Sequence, residues 1–161
     1  MSEIKNKVTL NIILVFSIFV LIVAYFIEYF LKHEPCNLCL IERIPYIFSI
    51  TIILICLFLK KFEKITFLLL ALIFIFGTII SFYHVGIERG FFEESFLCNL
   101  RNEINILTKE DLLKELQKKI ISCKKVDFTI FGLSLASINT IVSIILSSIT
   151  FKMYLNYEKN Q

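Results

Sequence analysis

The chain of 161 residues has no tryptophan, four glycines, two prolines and few charged residues, at 19%. The scarcity of glycine and proline excludes collagen-like, low-complexity and linker-rich proteins. Because 57% of the residues are hydrophobic, the chain cannot stay solvated as a disordered segment. The net charge is only +3 and the lysines are scattered between apolar blocks, so the sequence offers no basic face for nucleic acid. These exclusions leave an integral membrane protein, in agreement with a mean hydropathy of +0.79.

Four long apolar stretches define the expected fold. A helix needs roughly 20 residues to cross a hydrocarbon core of about 30 Å, and in lipid such runs form helices because the backbone must satisfy its own hydrogen bonds. The alternating segments of about ten residues that a β-barrel needs are missing from the sequence. We predict an all-α membrane protein, a single antiparallel four-helix transmembrane bundle formed by residues 1–161. Its predicted spans lie at about 8–31, 40–59, 65–84 and 128–151.

The lysines that flank these spans assign three segments to one side of the membrane. They precede the first span, connect the second to the third and follow the fourth: Lys5, Lys7, Lys60, Lys61, Lys64, Lys152 and Lys159. The positive-inside rule predicts that these segments, and with them both termini, are cytoplasmic. The two remaining loops, at about 32–39 and 85–127, then face outward.

Four of the five cysteines fall in the two outward loops. Cys36 and Cys39 form a CxxC in the first loop, and Cys98 and Cys123 lie in the second. Cys56 lies inside the second span, roughly 25 Å from Cys39 at the helical rise of about 1.5 Å per residue, so it cannot join the other four. This distribution fits the rule that disulfides form on the oxidising side of a membrane.

The cysteine spacing leaves several chemistries to weigh. Two structural disulfides are one interpretation, but closing a loop as short as a CxxC stabilises a fold little. The same motif instead favours a thiol of lowered pKa and a reducible disulfide. A metal site built from all four outward cysteines would want a second close-spaced pair, which the sequence does not supply. We therefore predict redox thiols and no metal.

Two further residues are candidates for the same chemistry. Arg43 follows Cys39 by four positions, so on a helix both face the same way, and a guanidinium there stabilises a thiolate or polarises an electron-accepting carbonyl. The alternative is that Glu42 and Arg43 anchor the helix at the headgroups. His84 lies near the outer end of the third span and either hydrogen-bonds a neighbouring helix or takes part in the chemistry. A haem held by His33 and His84 is disfavoured because the sequence has no CxxCH.

The second outward loop contains one predicted element. The run from Thr108 to Asp111 is similar to a capping box with Asp in place of Glu, and leucine and isoleucine recur at helical spacing after it. This pattern predicts a short amphipathic helix, which either lies on the outer leaflet or packs against the bundle.

The run from Cys36 to Tyr46, CNLCLIERIPY, resembles the CxLCxxxR-I-P-Y signature of the disulfide-bond formation protein B family. Two further runs match in order, YHVGIE ending at Glu88 and FGLSLA ending at Ala136. The family usually carries an aromatic residue, often Trp, in the last of these motifs, where this chain has Ser-Ile-Asn ending at Asn139. The resemblance covers nearly the whole chain and implies a four-helix, quinone-dependent thiol oxidase of the bacterial inner membrane.

The resemblance also implies a role for each cysteine. A periplasmic thioredoxin-like dithiol oxidase, as the soluble partner, attacks Cys98 and opens a Cys98–Cys123 disulfide. Cys123 then exchanges with Cys36 and leaves Cys39 as a thiolate beside the membrane quinone, either ubiquinone or menaquinone, with Arg43 close by.

For His84, the resemblance implies a place beside the quinone ring. Three other classes of protein compete with this assignment. A metal-sensing or transport protein should carry acidic or His residues deep inside the spans, whereas Glu28, Glu42 and His84 all lie near span ends. A vitamin K epoxide reductase-like enzyme does similar chemistry, but its quinone-side CxxC lies in a later helix, and no CxxC follows Cys39 in this sequence. A non-enzymatic four-span protein with structural disulfides would have no need of Arg43 and would bind no quinone.

Overall fold

The structure is a computed structural model that describes residues 2–33, 35–59, 62–93, 98, 123–124, 129–130 and 132–159. The described helices are α1 (Ser2–Tyr29), α2 (Asn37–Ile41), α3 (Ile44–Leu59), α4 (Glu63–Glu88) and α5 (Leu135–Lys159). Two short strands, β1 (Thr129–Ile130) and β2 (Leu133–Ser134), precede α5. The predicted amphipathic helix after Thr108 lies outside the described residues.

Four helical segments are long and apolar enough to cross a membrane, which confirms the predicted four-helix membrane fold. They are Asn6–Tyr29, Asn37–Leu59, Glu63–Glu88 and Leu135–Tyr157. Helix α1 packs on α3, α3 on α4, and α4 most extensively on α5. Large apolar side chains cover the outside of these helices, with Phe58 88% exposed, as expected of a surface that faces hydrocarbon.

The second membrane segment is interrupted between α2 and α3, and proline explains the break. Pro45 has no backbone N–H to continue the α-helical ladder, and it disfavours helical geometry at the residue before it. The chain passes through a tight turn there, in which the Arg43 amide bonds to the Leu40 carbonyl oxygen at 3.2 Å. The turn lets the adjacent Glu42 and Arg43 side chains point to different helices.

The interior of the bundle is apolar and closely packed, and it includes Cys56 as a small hydrophobe. Its buried residues are Leu10, Ile13, Tyr46, Ile53, Cys56, Phe67, Leu70, Phe74, Leu146 and Met153. Small residues allow close approach of the helices. A Cβ added to Gly77 would lie 3.2 Å from Pro45 Cγ, and the Ser49 hydroxyl donates to Ser17 Oγ at 3.1 Å between α3 and α1.

The entry to α5 differs from a simple continuous span. Thr129 pairs with Ser134, and Ile130 with Leu133, in a two-residue antiparallel ladder. Gly132 makes the reversal at φ +80°, a conformation that residues with a side chain adopt rarely. The helix consequently begins at Leu135 rather than near residue 128, where the apolar run starts.

Candidate thiol redox site

The structure brings the four loop cysteines into one buried cluster. Cys36 Sγ lies 2.8 Å from Cys39 Sγ, and Cys123 hydrogen-bonds to both Cys36 and Cys98. Cys36, Cys98 and Cys123 are 7%, 4% and 2% exposed, and all four residues are thiols. Asn37 helps to hold the second loop, because its Nδ2 donates to the Cys98 carbonyl oxygen at 2.8 Å. The sulfur atoms therefore form a continuous chain in the order 98, 123, 36, 39.

The CxxC spacing and the start of α2 explain the geometry of the first pair. Cys36 is the N-cap residue of α2, in extended conformation, and its Sγ accepts a hydrogen bond from the Cys39 backbone N–H at 3.3 Å. A side chain that caps a helix in this way satisfies one of the unpaired N–H groups of the first turn. Three residues later the helix returns Cys39 to the same side, so both sulfur atoms lie at the beginning of α2.

The two central thiols have opposite acidities. The pKa of Cys36 lies well below the usual thiol range, because hydrogen bonds from Cys123 and then from Cys39 stabilise its thiolate more than burial opposes it. The pKa of Cys123 is raised, because its proton is held in the hydrogen bond to Cys36 and its side chain is buried. Cys36 Sγ thus accepts hydrogen bonds from the neighbouring thiols of Cys123 and Cys39.

A polar network connects Cys36 to the interior of the bundle. His84 Nε2 lies 3.5 Å from Cys36 Sγ, and His84 Nδ1 lies 2.7 Å from Glu42 Oε1. Asn139 Nδ2 donates to Glu42 Oε2 at 2.8 Å. The Tyr46 hydroxyl donates to Asn139 Oδ1 at 2.5 Å. Sequence reasoning proposed His84 but missed Glu42 and Asn139 as members of this site; the available signal was a polar residue inside or beside an apolar span.

Arg43 faces α1. Its Nη1 donates to Glu28 Oε2 at 2.5 Å, and its Cζ lies 4.9 Å from the centre of the Tyr25 ring. The Tyr25 ring in turn stacks on Tyr29, with centroids 6.2 Å apart. The sequence analysis did not predict Glu28 as the partner of Arg43. Arg43 therefore joins the α2–α3 turn to the end of α1.

Three of the site residues lie close enough together to hold a metal ion, as the metal-binding alternative requires. One donor atom from each of Cys36, Cys39 and His84 lies within 4.8 Å of the others, and thiolates and imidazole are ligands that zinc accepts. Cys36 also contacts Cys123, which in turn contacts Cys98. Four sulfur atoms in succession, including one thiol of lowered pKa, are suited to thiol–disulfide exchange.

These features define a class, the multi-pass membrane proteins that carry out thiol–disulfide chemistry. The chain matches the family model described as disulfide bond formation protein DsbB over residues 6–153. It belongs to this family, as its motifs predicted, and the family gives it a disulfide oxidoreductase role. "Uncharacterized protein RP370" of Rickettsia prowazekii (strain Madrid E) is 33% identical over 144 residues, 88% of this chain and 84% of that protein. No solved structure gives a significant match.

Proposed function

We propose that the protein reoxidises a periplasmic thioredoxin-like dithiol oxidase and transfers the electrons to a membrane quinone. The observation that carries this proposal is the continuous chain of sulfur atoms from Cys98 through Cys123 and Cys36 to Cys39. Two structural disulfides would not need a thiolate-stabilising contact between the pairs. A relay needs one, because its electrons must cross from one pair to the other.

The exchange begins at the loop pair. A thiolate of the soluble partner attacks Cys98 Sγ of a Cys98–Cys123 disulfide, and Cys123 leaves as a thiolate. Cys123 then attacks Cys36 Sγ of the Cys36–Cys39 disulfide, so that Cys39 leaves as a thiolate and a Cys36–Cys123 disulfide forms.

The partner's second thiolate attacks its own mixed disulfide and releases Cys98. Cys98 attacks Cys123 and releases Cys36. The partner ends as a disulfide, the loop pair is restored, and two electrons rest on Cys36 and Cys39.

The surroundings of Arg43 support the choice of acceptor. Its guanidinium carries five N–H donors in one plane, and it lies against Tyr25, which together with Tyr29 presents an exposed aromatic surface. Such a surface fits a planar, carbonyl-bearing ring in an apolar medium. Ubiquinone and menaquinone, when bound, supply a two-electron acceptor of this kind. Cys39 is the least buried of the four site cysteines, which suits it to be the thiol that reacts with the acceptor.

The compartment follows from the lysine distribution. With the Lys-bearing segments in the cytoplasm, both termini are cytoplasmic and the cysteine cluster lies at the periplasmic face of a bacterial inner membrane. In this orientation the loop that carries Cys98 and Cys123 faces the compartment of the water-soluble dithiol, and Cys39 remains beside the lipid.

Quinone reduction by the purified protein in lipid nanodiscs tests the proposal. A reduced thioredoxin-like dithiol protein is the electron donor, and loss of quinone absorbance is the readout. We expect turnover in the native chain, none in Cys98→Ser, and native turnover in Cys56→Ala, which changes a cysteine of the apolar core. Normal turnover of Cys98→Ser, or no quinone reduction by the native chain, would contradict the proposal, and the second result would favour a structural role for the disulfides.

A further inference from the structure

We propose that Glu42 and Asn139 are positioning residues that fix His84 as the proton acceptor of Cys36. The inference deepens the proposed function and rests on it for the importance of Cys36. The structural basis is a buried succession of groups, thiol to imidazole to carboxylate to amide, that joins α2, the α2–α3 turn, α4 and α5.

The hydrogen bonds define which nitrogen of His84 carries a proton. An ionised carboxylate only accepts hydrogen bonds, so the 2.7 Å contact with Glu42 Oε1 requires N–H at Nδ1. In the neutral ring Nε2 is then a lone-pair acceptor. That atom is the one that lies 3.5 Å from Cys36 Sγ. The Cys36 thiol proton therefore has an acceptor already oriented toward it.

Glu42 is held in place at its other oxygen. Asn139 Nδ2 donates to Glu42 Oε2 at 2.8 Å and also contacts Ser81 Oγ at 2.7 Å. The Tyr46 hydroxyl fixes the orientation of the amide by donating to Asn139 Oδ1 at 2.5 Å. With both oxygens engaged, the carboxylate cannot turn away from His84 without leaving a buried polar group unsatisfied.

Burial makes the charge of Glu42 important for the proton transfer. His84 is 2% and Glu42 8% exposed, and an isolated charge in such a place is costly. When the proton moves from Cys36 Sγ to His84 Nε2, the imidazolium lies between a thiolate and a carboxylate. Among the described residues, the other charged group that faces the ring is Glu88, whose Oε1 lies 3.9 Å from Nε2.

The transfer from Cys36 to His84 moves one proton and no electrons. It keeps reduced Cys36 in the thiolate form. It also stabilises Cys36 as a leaving group when Cys98 attacks the Cys36–Cys123 disulfide. The Asn139 amide donates to Glu42 from the stretch of α5 where the family motif usually carries an aromatic residue.

The test titrates Cys36 by itself. In full-length protein with the other four cysteines changed to serine, thiolate ultraviolet absorbance is followed against pH in nanodiscs, with a Cys36→Ala chain as the blank. We expect Glu42→Gln, which preserves shape but removes the negative charge and replaces one accepting oxygen with an NH2 donor, to move the midpoint for Cys36 upward by about one pH unit. Asn139→Leu should move it in the same direction by less.

A double-variant comparison separates positioning from simple folding effects. Without an imidazole, the charge of Glu42 only repels the thiolate, so in a His84→Gln background Glu42→Gln should leave the midpoint unchanged or lower it. An upward shift of equal size in both backgrounds, or no shift from Glu42→Gln in the native background, overturns the proposal that Glu42 positions His84 as the proton acceptor. Because the titration uses neither quinone nor soluble partner, its outcome is independent of whether the proposed electron transfer occurs.

Discussion

Replacing Arg43 with lysine tests whether its guanidinium serves the electron acceptor or only anchors the chain. The side chains of Arg43 and Glu28 are 12% and 23% exposed and meet at 2.5 Å, so a lysine ammonium can retain this ion pair. It cannot reproduce the planar fork of donors or the stacking of a flat guanidinium on the Tyr25 ring. Loss of one hydrogen bond to a charged group costs about 1.5–3 kcal/mol. This corresponds to roughly tenfold to hundredfold weaker apparent quinone binding.

The assay is the Michaelis constant for quinone in Arg43→Lys, Arg43→Gln and Glu28→Gln, at saturating reduced partner. We expect the constant to rise in Arg43→Lys and further in Arg43→Gln. It should fall in Glu28→Gln, which removes the competing anion from the guanidinium. Arg89→Lys is the matched control, since Arg89 is exposed beyond the end of α4. If Arg43→Lys and Arg43→Gln both keep the native constant, at native expression and thermal stability, Arg43 is a headgroup anchor and the reasoning is refuted.

Three further predictions address topology, packing and acidity. A reporter fused after Gln161 should be active only in the cytoplasm, and periplasmic activity would invert the assigned orientation. Gly77→Ala should lower the free energy of unfolding in detergent by about 1–3 kcal/mol, because the added Cβ would meet the Pro45 ring at 3.2 Å. An unchanged free energy of unfolding would contradict this prediction. In reduced protein, the pKa of Cys36 is lowered and the pKa of Cys123 is raised. We therefore predict that Cys36 is still alkylated when the pH falls below the usual thiol pKa of about 8.5, while Cys123 stays unreactive. Peptide mass spectrometry at each pH compares the two sites, and equal rates at acidic pH would contradict the assignment.

The membrane fold was predictable because it depends on properties that add along the chain. Length and hydropathy identify each helix independently of its neighbours, and the description of four membrane-crossing helices holds. Local details were less accessible. The fourth apolar run begins with the turn at Gly132, and nothing in its hydropathy distinguishes that turn from helix. Pro45 did carry a signal for the break between α2 and α3.

The candidate site was predictable in composition but not in its contacts. The CxxC and the two loops predicted to face outward pointed to the four cysteines, and the sequence already left open that His84 hydrogen-bonds a neighbouring helix. Its partner Glu42 was interpreted as a possible interfacial anchor, because the direction of a side chain at a helix break depends on tertiary packing. Asn139 is far from Glu42 in the chain, so their contact is invisible to any local pattern.

The most direct test of the account is to trap the step between the two cysteine pairs. In a Cys39→Ser/Cys98→Ser chain, Cys36 and Cys123 retain the hydrogen bond between them, through which the proposed relay passes electrons from one pair to the other, so mild oxidation should join them. The complementary Cys36→Ser/Cys123→Ser chain retains the two ends of the sulfur chain and is the control. We predict rapid formation of a Cys36–Cys123 disulfide, measured by mass spectrometry of proteolytic peptides, and little or no Cys39–Cys98 disulfide under the same conditions. Failure of Cys36 and Cys123 to join, or equally fast joining of the control pair, would contradict the relay.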